Sequence, residues 1–450
     1  MPVLRYESGP ADVSRLAEPL KFEFSGRTAK NRFFKAAMSE GLATWHPTEI
    51  EKRGIPTKEL IELYRRWGEN EWGVITTGNM DIEFDMLDAV GDMIVTPECP
   101  PTGPRFDAFQ ELAAAAKAHG SLFLAQVSHP GRQLFANIRK DTISPSGMTE
   151  SVIPLSAAYA IPREATKADI ARLVEGYSHA AAYLEKAGFD GVELHGAHGY
   201  MIAQFLSAQT NHRTDEYGGS VKKRLRFVLE IAEAIRKRTR PDFILGIKVN
   251  SVEFQEKGIQ PHEAREICEA LQDAGFDLVE LSGGTHEDTG FGGERESTRK
   301  REAYFLEFAR QIAPGLTRTR RYLVGGLRTA ASMAQALDHV DGVSLARTAA
   351  QEPRLPTDIL SGKITAAIKP PMDLVKDLWC GMAAAAAHML QIGTDREPFD
   401  TSDERALAAF KEAYAIFGKR LAEDGDKLEV HGCVKLDAPE TSSHVYGDAY

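Results

Sequence analysis

Two imidazoles and a phenol stand within six positions of one another in the stretch GVELHGAHGYMIAQFLSAQTNHRTDEYGGSVKKRLRF (191–227): His195, His198 and Tyr200. Imidazole N–H groups can hold a carbonyl oxygen while negative charge builds on it, and a phenol can supply a proton. The run NHRTDEYGGS follows, with Asn211, Arg213, Asp215, Tyr217, Gly218 and Gly219 forming a compact polar turn before a helix. Arg213, Asp215 and Arg224 read as a polar network that fixes this loop, not as reacting groups. A pair of histidines three apart also matches metal-ligand spacing, so a metal-dependent barrel hydrolase is a rival reading. It lacks a third ligand motif elsewhere in the sequence.

These residues need a strand to carry them, and the sequence announces one by repetition. AGFDGVELHG (187–196) recurs as AGFDLVELSG (274–283), with a looser third copy, HVDGVSLAR, at 339–347. In the first two, an amphipathic helix ends at a glycine suited to the left-handed cap, Gly188 or Gly275. An Asp and a short apolar strand follow. Ile170, Leu173, Val174, Tyr177, Ala181 and Leu184 give the preceding helix its apolar face, and Thr166 with Asp169 forms its capping box. Strands are expected at Arg32–Met38, Gly73–Gly78, Ser121–Val127, Gly191–His195, Phe243–Asn250, Leu278–Ser282, Tyr322–Gly325 and Gly342–Ala346. Eight strands alternating with helices fit an α/β fold, a (β/α)8 TIM barrel spanning residues 1–365. The rival open, doubly wound sheet lacks a GxGxxG after its first strand. LKFEF before residue 26 is expected to form an N-terminal hairpin closing the barrel bottom. Residues 366–450 read as a C-terminal helical extension and tail with a packing or subunit role, leaving room for a homodimer. The segment 128–165, rich in proline, reads as an active-site loop.

Polar residues recur where the strands end, as a barrel active site requires: Ser39, Asn79, Gln126, His195, Lys248, the SGG at 282–284, Gly325 with Gly326, and Arg347. The bulk numbers set outer limits. A net charge of −11 with no basic run disfavours nucleic acid and anionic membranes as partners. Four scattered cysteines without a CxxC argue against zinc, an iron–sulfur cluster or a disulfide framework. The N-terminal residues have no signal-peptide pattern and no apolar run reaches membrane-spanning length, so a cytoplasmic location is expected.

On KNRFFKAAM (30–38), LAQVSHPGRQ (124–132), HGAHGYMIAQFLSAQTNHRTDEYGGS (195–220), VGGLRT (324–329) and LAR (345–347), the chain resembles the old yellow enzymes. The third motif is highly specific. The resemblance spans roughly residues 18–360. It implies an FMN-dependent barrel oxidoreductase that takes hydride from NADPH or NADH and passes it, by a ping-pong route, to the C=C bond of an activated alkene. It implies that His195 and His198 hold the carbonyl oxygen and that Tyr200 protonates the α-carbon. Ala36, Ala37, Met38 and Ser39 match the segment lining the flavin, and Asn79 a position beside its reactive edge. Gln126 matches the partner of the pyrimidine ring, Lys248 the cation near N1 and O2, and Gly325, Gly326, Ala346 and Arg347 the phosphate cradle.

The chain departs from the family pattern at several of these positions. Ala37 replaces a frequent Pro, and Ser39 a Cys or Thr, so no redox-tuning thiol is present. Glu40 and Gly41 remove a substrate-contacting Tyr found in one subgroup. Lys248 replaces a common Arg, keeping charge without the fork, and Ala346 replaces a Gly. A dienoyl-reductase variant would need cluster cysteines and a second dinucleotide-binding region, for which residues 366–450 offer neither. A redox-neutral flavin isomerase or a dehydrogenase of secondary metabolism is a further rival.

Overall fold

An aspartate opens each copy of the repeat, and in the structure each one clamps the neighbouring strand in the same way. The Asp190 carboxylate accepts from Phe123 N at 3.0 Å, Asp277 from Leu245 N at 3.1 Å and Asp341 from Arg321 N at 2.9 Å. Their own amides donate back to the Phe123, Leu245 and Arg321 carbonyls. Gly188 and Gly275, at φ +98° and +82°, make the left-handed helix-to-strand turn that precedes the first two clamps.

The computed structural model describes residues 3–149, 159–250, 258–282, 315–371, 377–438, 441 and 444–447. Eight parallel strands, β1 (Phe33–Lys35), β2 (Val74–Asp81), β3 (Leu122–Ser128), β4 (Gly191–Gly196), β5 (Ile244–Asn250), β6 (Leu278–Ser282), β7 (Arg320–Val324) and β8 (Gly342–Leu345), pair in chain order. The β8–β1 and β1–β2 pairings close the barrel. All eight expected strands are present. The register sets Asn79 beside Gln126, Gln126 beside Glu193, His195 beside Lys248, and Lys248 beside Glu280.

Helices pack outside the strands: α1 (Lys58–Gly68), α2 (Pro104–Lys117), α3 (Lys167–Lys186), α4 (Arg226–Arg238), α5 (Pro261–Asp273) and α6 (Ala330–Ala336). The Thr166–Asp169 capping box starts α3, and its predicted apolar face is turned inward. The floor is closed as expected. Leu20–Lys21 pairs antiparallel with Thr28–Ala29, and Leu20 and Phe22 join Phe34, Leu124, Ile244 and Tyr322 in a small core of their own.

Beyond the barrel, α7 (Leu378–Gly393) and α8 (Glu404–Asp424) follow caps made by Asp377 and Asp403. Helix α7 packs against α1 and against the short helix Arg347–Gln351. Phe399 and Phe410 stack beneath it. Among the described residues no helix is long and apolar enough to cross a membrane.

Candidate active site

The inward-facing alternation of β4 brings Glu193 and His195 to the same side, one deep in the lumen and one at its mouth. After β4 the chain turns sharply: His198 adopts φ +56°, and Tyr200 becomes the cap residue of the short helix Met201–Leu206. This turn folds the two imidazoles and the phenol into one cluster. The His195 and Tyr200 rings stack at 4.2 Å, and the His195 and His198 rings meet edge to face at 5.4 Å. Ala197 N–H donates to His195 Nδ1 at 3.4 Å. His198 is held from both sides, with its amide on Asn250 Oδ1 at 3.3 Å and Nε2 at 2.8 Å from Ser282 Oγ.

The NHRTDEYGGS turn supports this cluster from behind, as expected. Arg213 forks onto Asp215 and donates to the Pro145 and Ala165 carbonyls at 3.0 and 2.6 Å. Arg224 reaches Leu206 O and Glu263, and Asn211 Nδ2 bridges the Phe205 and Tyr217 carbonyls. Gly218 admits no side chain, because a Cβ would sit 2.1 Å from Arg213 O. Arginines bound this tightly fix the backbone and face no substrate.

A chamber of about 630 Å³ opens at the C-terminal ends of the strands, a size suited to a cofactor with a small substrate. Ala37, Met38, Ser39, Asn79, Gln126, His195, His198, Tyr200, Lys248, Gly325, Gly326, Ala346 and Arg347 all line it. Ala36 does not. It is fully buried, its amide on Leu345 O at 2.9 Å. The described part of segment 128–165 contributes nothing to the wall either. Asp141–Ser144 and Ile161–Glu164 instead pair with each other at the barrel edge. Pro154, Gly283 and Gly284 lie outside the described residues.

The C-terminal extension is the larger surprise. Leu378, Trp379, Met382, Ala386 and Met389 of α7, Tyr414 of α8, and Gly432 and Cys433 of the tail roof the chamber. The tail is tied down by Cys433 Sγ on Glu40 O at 3.1 Å and by Trp45 Nε1 on Leu428 O at 2.9 Å. A role limited to packing or subunit contact is therefore corrected: these helices form part of the site.

Four further residues shape the site electrostatics, and three of them, Glu193, Glu280 and Arg328, were not singled out by the sequence. Glu280 pairs with Lys248 at 2.7 Å, and Gln126 Nε2 donates to Glu193 at 3.4 Å. Glu193 is pushed toward its neutral form by burial and by the neighbouring Glu280. The signal was in the repeat, which places a Glu at the same point of both VEL strands. Glu40, fully buried, accepts from Tyr64 Oη and from Gly78 N at 2.8 Å. Arg328 lines the chamber near Arg347 and donates to Thr348 Oγ1. Burial, and next the Asp88 carboxylate, hold the Tyr200 phenol well above the usual tyrosine range.

The wall is chemically two-ended. Gln126 and Lys248 stand at one end, with two arginines and the positive-φ pair Gly325–Gly326 at the other and small apolar side chains between. Asn79 Oδ1 and Ser344 Oγ are buried on this wall with no partner among the described residues, so a polar ligand would complete it. An amide and a cation suit a flavin pyrimidine ring, and glycine amides with guanidinium groups suit a phosphate. The residues fit FMN. No cluster of three or more His, Cys, Asp or Glu side chains suited to a metal occurs among the described residues.

Comparison with known proteins agrees with this chemistry. Residues 15–363 match the model of the NADH:flavin oxidoreductase / NADH oxidase family. The chain is 46% identical over 415 residues to the NADH-dependent flavin oxidoreductase nadA of Aspergillus parasiticus, covering 92% of this chain and 93% of that one. It is 32% identical over 356 residues to iliE of Hypocrea jecorina, likewise an NADH-dependent flavin oxidoreductase, covering 74% and 86%. Among solved structures, morphinone reductase superposes with TM-score 0.65 at 21% identity, covering 81% of this chain and 94% of that one. The old yellow enzyme homologue from Zymomonas mobilis gives 0.64 at 23%, covering 78% and 94%. The chain belongs to the NADH:flavin oxidoreductase family, the old yellow enzymes, and is an NAD(P)H:FMN oxidoreductase.

Proposed function

We propose that this oxidoreductase reduces the C=C bond of α,β-unsaturated carbonyl compounds. The observation that carries the reading is that His195, His198 and Tyr200 converge on the chamber whose other wall suits FMN. Bound FMN, once reduced by NADH or NADPH, supplies the hydride. His195 and His198 hold the carbonyl oxygen. Charge growing there as the β-carbon is attacked is met by donors already in place, so little reorganisation is required. Ser282 keeps the His198 ring from turning away, and Asn250 holds its backbone amide. Tyr200 delivers a proton to the α-carbon. The residual reactivity of a buried phenol suits this task, since it stays protonated until a strongly basic carbon forms beside it. Gln126 and Lys248 hold the pyrimidine ring, while Gly325, Gly326, Ala346 and Arg347 hold the phosphate. The Lys248–Glu280 ion pair moderates the cation that the ring meets.

Anaerobic incubation of the holoenzyme with NADH and cyclohexenone tests the reading. One cyclohexanone formed per NADH consumed supports it. NADH consumption that requires oxygen and yields no ketone product rejects it.

A further inference from the structure

If Tyr200 gives its proton to a carbon at each turnover, something must return one, and Tyr200 is only 5% exposed. Little of the residue is open to the chamber it lines. Asp88, in the segment after β2, meets both requirements of an intermediary. Its carboxylate accepts the Tyr200 phenol proton in a hydrogen bond. It is also half-buried on the chamber wall, in reach of chamber water. Asn79 fixes its orientation: Nδ2 donates to Asp88 Oδ2 at 3.1 Å and lies 3.4 Å from Ser39 Oγ. Behind it stand two fully buried carboxyls, Asp81 and Asp92, with Asp92 Oδ2 accepting from Ala89 N at 3.1 Å. Burial first drives both toward the neutral acid, followed at Asp81 by the charges of Asp92 and Asp88 and at Asp92 by those of Asp88 and Glu40.

We propose that Asp88 acts through Tyr200 as the group that reprotonates it, carrying protons from chamber water to the phenol oxygen. The inference rests on the reading of Tyr200 as the proton donor. The balance is simple. Tyr200 loses a proton to the substrate α-carbon and is left as phenolate. The Asp88 carboxylate takes a proton from hydronium delivered through the chamber water, passes it to that oxygen and is left as carboxylate again. The net proton comes from bulk solvent, and no electrons move.

The arrangement makes a kinetic signature that a structural role would not. The first turnover uses the proton already on Tyr200, and only later turnovers need Asp88. In stopped-flow experiments on FMN-loaded, NADH-reduced enzyme, Asp88→Asn should reoxidise with cyclohexenone at a first-turnover rate within about threefold of wild type. Its steady-state rate should fall at least tenfold. Asp88→Glu, which keeps a carboxyl, should recover most of that loss, and so should added formate with Asp88→Asn. Tyr200→Phe should slow the first turnover itself. A steady-state rate for Asp88→Asn within twofold of wild type overturns the proposal. So does an equal slowing of first and later turnovers. Should Asp88→Asn not retain FMN, failure of Asp88→Glu to outperform Asp88→Ala overturns it. Failure of the underlying reading looks different: wild-type enzyme would not be reoxidised by the enone, or Tyr200→Phe would leave the first turnover unchanged.

Discussion

The segments 187–196 and 274–283 differ at two of ten positions, yet one carries a proposed catalytic histidine and the other a supporting serine. At the barrel floor they are the same device. Asp190 and Asp277 clamp the neighbouring strand, and each is neutralised from outside, Asp190 by Lys117 at 2.8 Å and Asp277 by Arg236 at 3.2 Å. In the lumen both present a buried glutamate, Glu193 and Glu280. At the mouth they part: the rim residue of β4 is His195, whereas that of β6 is Ser282, which holds His198. The barrel therefore separates its tasks along each strand, with stability at the floor, charge in the lumen and chemistry at the rim.

Breaking the shared half should cost stability and spare chemistry. Asp277→Ala leaves Ser25 N, Leu245 N and the Arg236 guanidinium without their buried acceptor. We expect a loss of about 3–5 kcal/mol in urea unfolding, with turnover per folded molecule unchanged. Breaking the divergent half should do the reverse. His195→Ala should lower kcat for enone reduction by about 10²–10³-fold with little change in unfolding midpoint, measured by steady-state kinetics on FMN-loaded protein.

The lumen should show an intermediate effect. Glu280→Gln removes the ion-pair partner of Lys248 and weakens the negative charge facing that cation. Reduced flavin carries extra negative charge, so the midpoint potential of bound FMN should rise, read by spectroelectrochemistry. The smallest effect belongs to the helix feeding the first repeat. Thr166→Ala removes the acceptor for Asp169 N at 3.1 Å and should cost about 1 kcal/mol without moving any kinetic constant.

How much of this the sequence displays follows the same floor-to-rim division. The strands, the clamping aspartates and the α3 cap are local: each is set by residues within one turn or one strand, so periodicity and repetition reveal them. The His195–His198–Tyr200 cluster is local too, compressed into one tight turn. The Lys248–Glu280 pair and the Asp88–Tyr200 contact are not. They join residues brought together only when the barrel closes, 32 positions apart in one case and 112 in the other. Asp88 lies in FDMLDAVGD, which has no periodic or repeated pattern to mark it. The roof formed by α7 escapes for another reason. Its apolar residues have the composition of any buried helix face, and nothing in AAAAAHML distinguishes packing on a barrel from covering a site. Ala36, matched by motif to the segment lining the flavin, is buried and does not itself line the chamber.

The most direct measurement is the visible spectrum of the FMN-loaded protein in an anaerobic cuvette, first with one equivalent of NADH and then with excess cyclohexenone. The account predicts that the flavin absorbance bleaches with NADH and returns fully with the enone, and that His195→Ala bleaches normally but returns far more slowly. Absorbance that bleaches and stays low with the wild-type protein until air is admitted would contradict it.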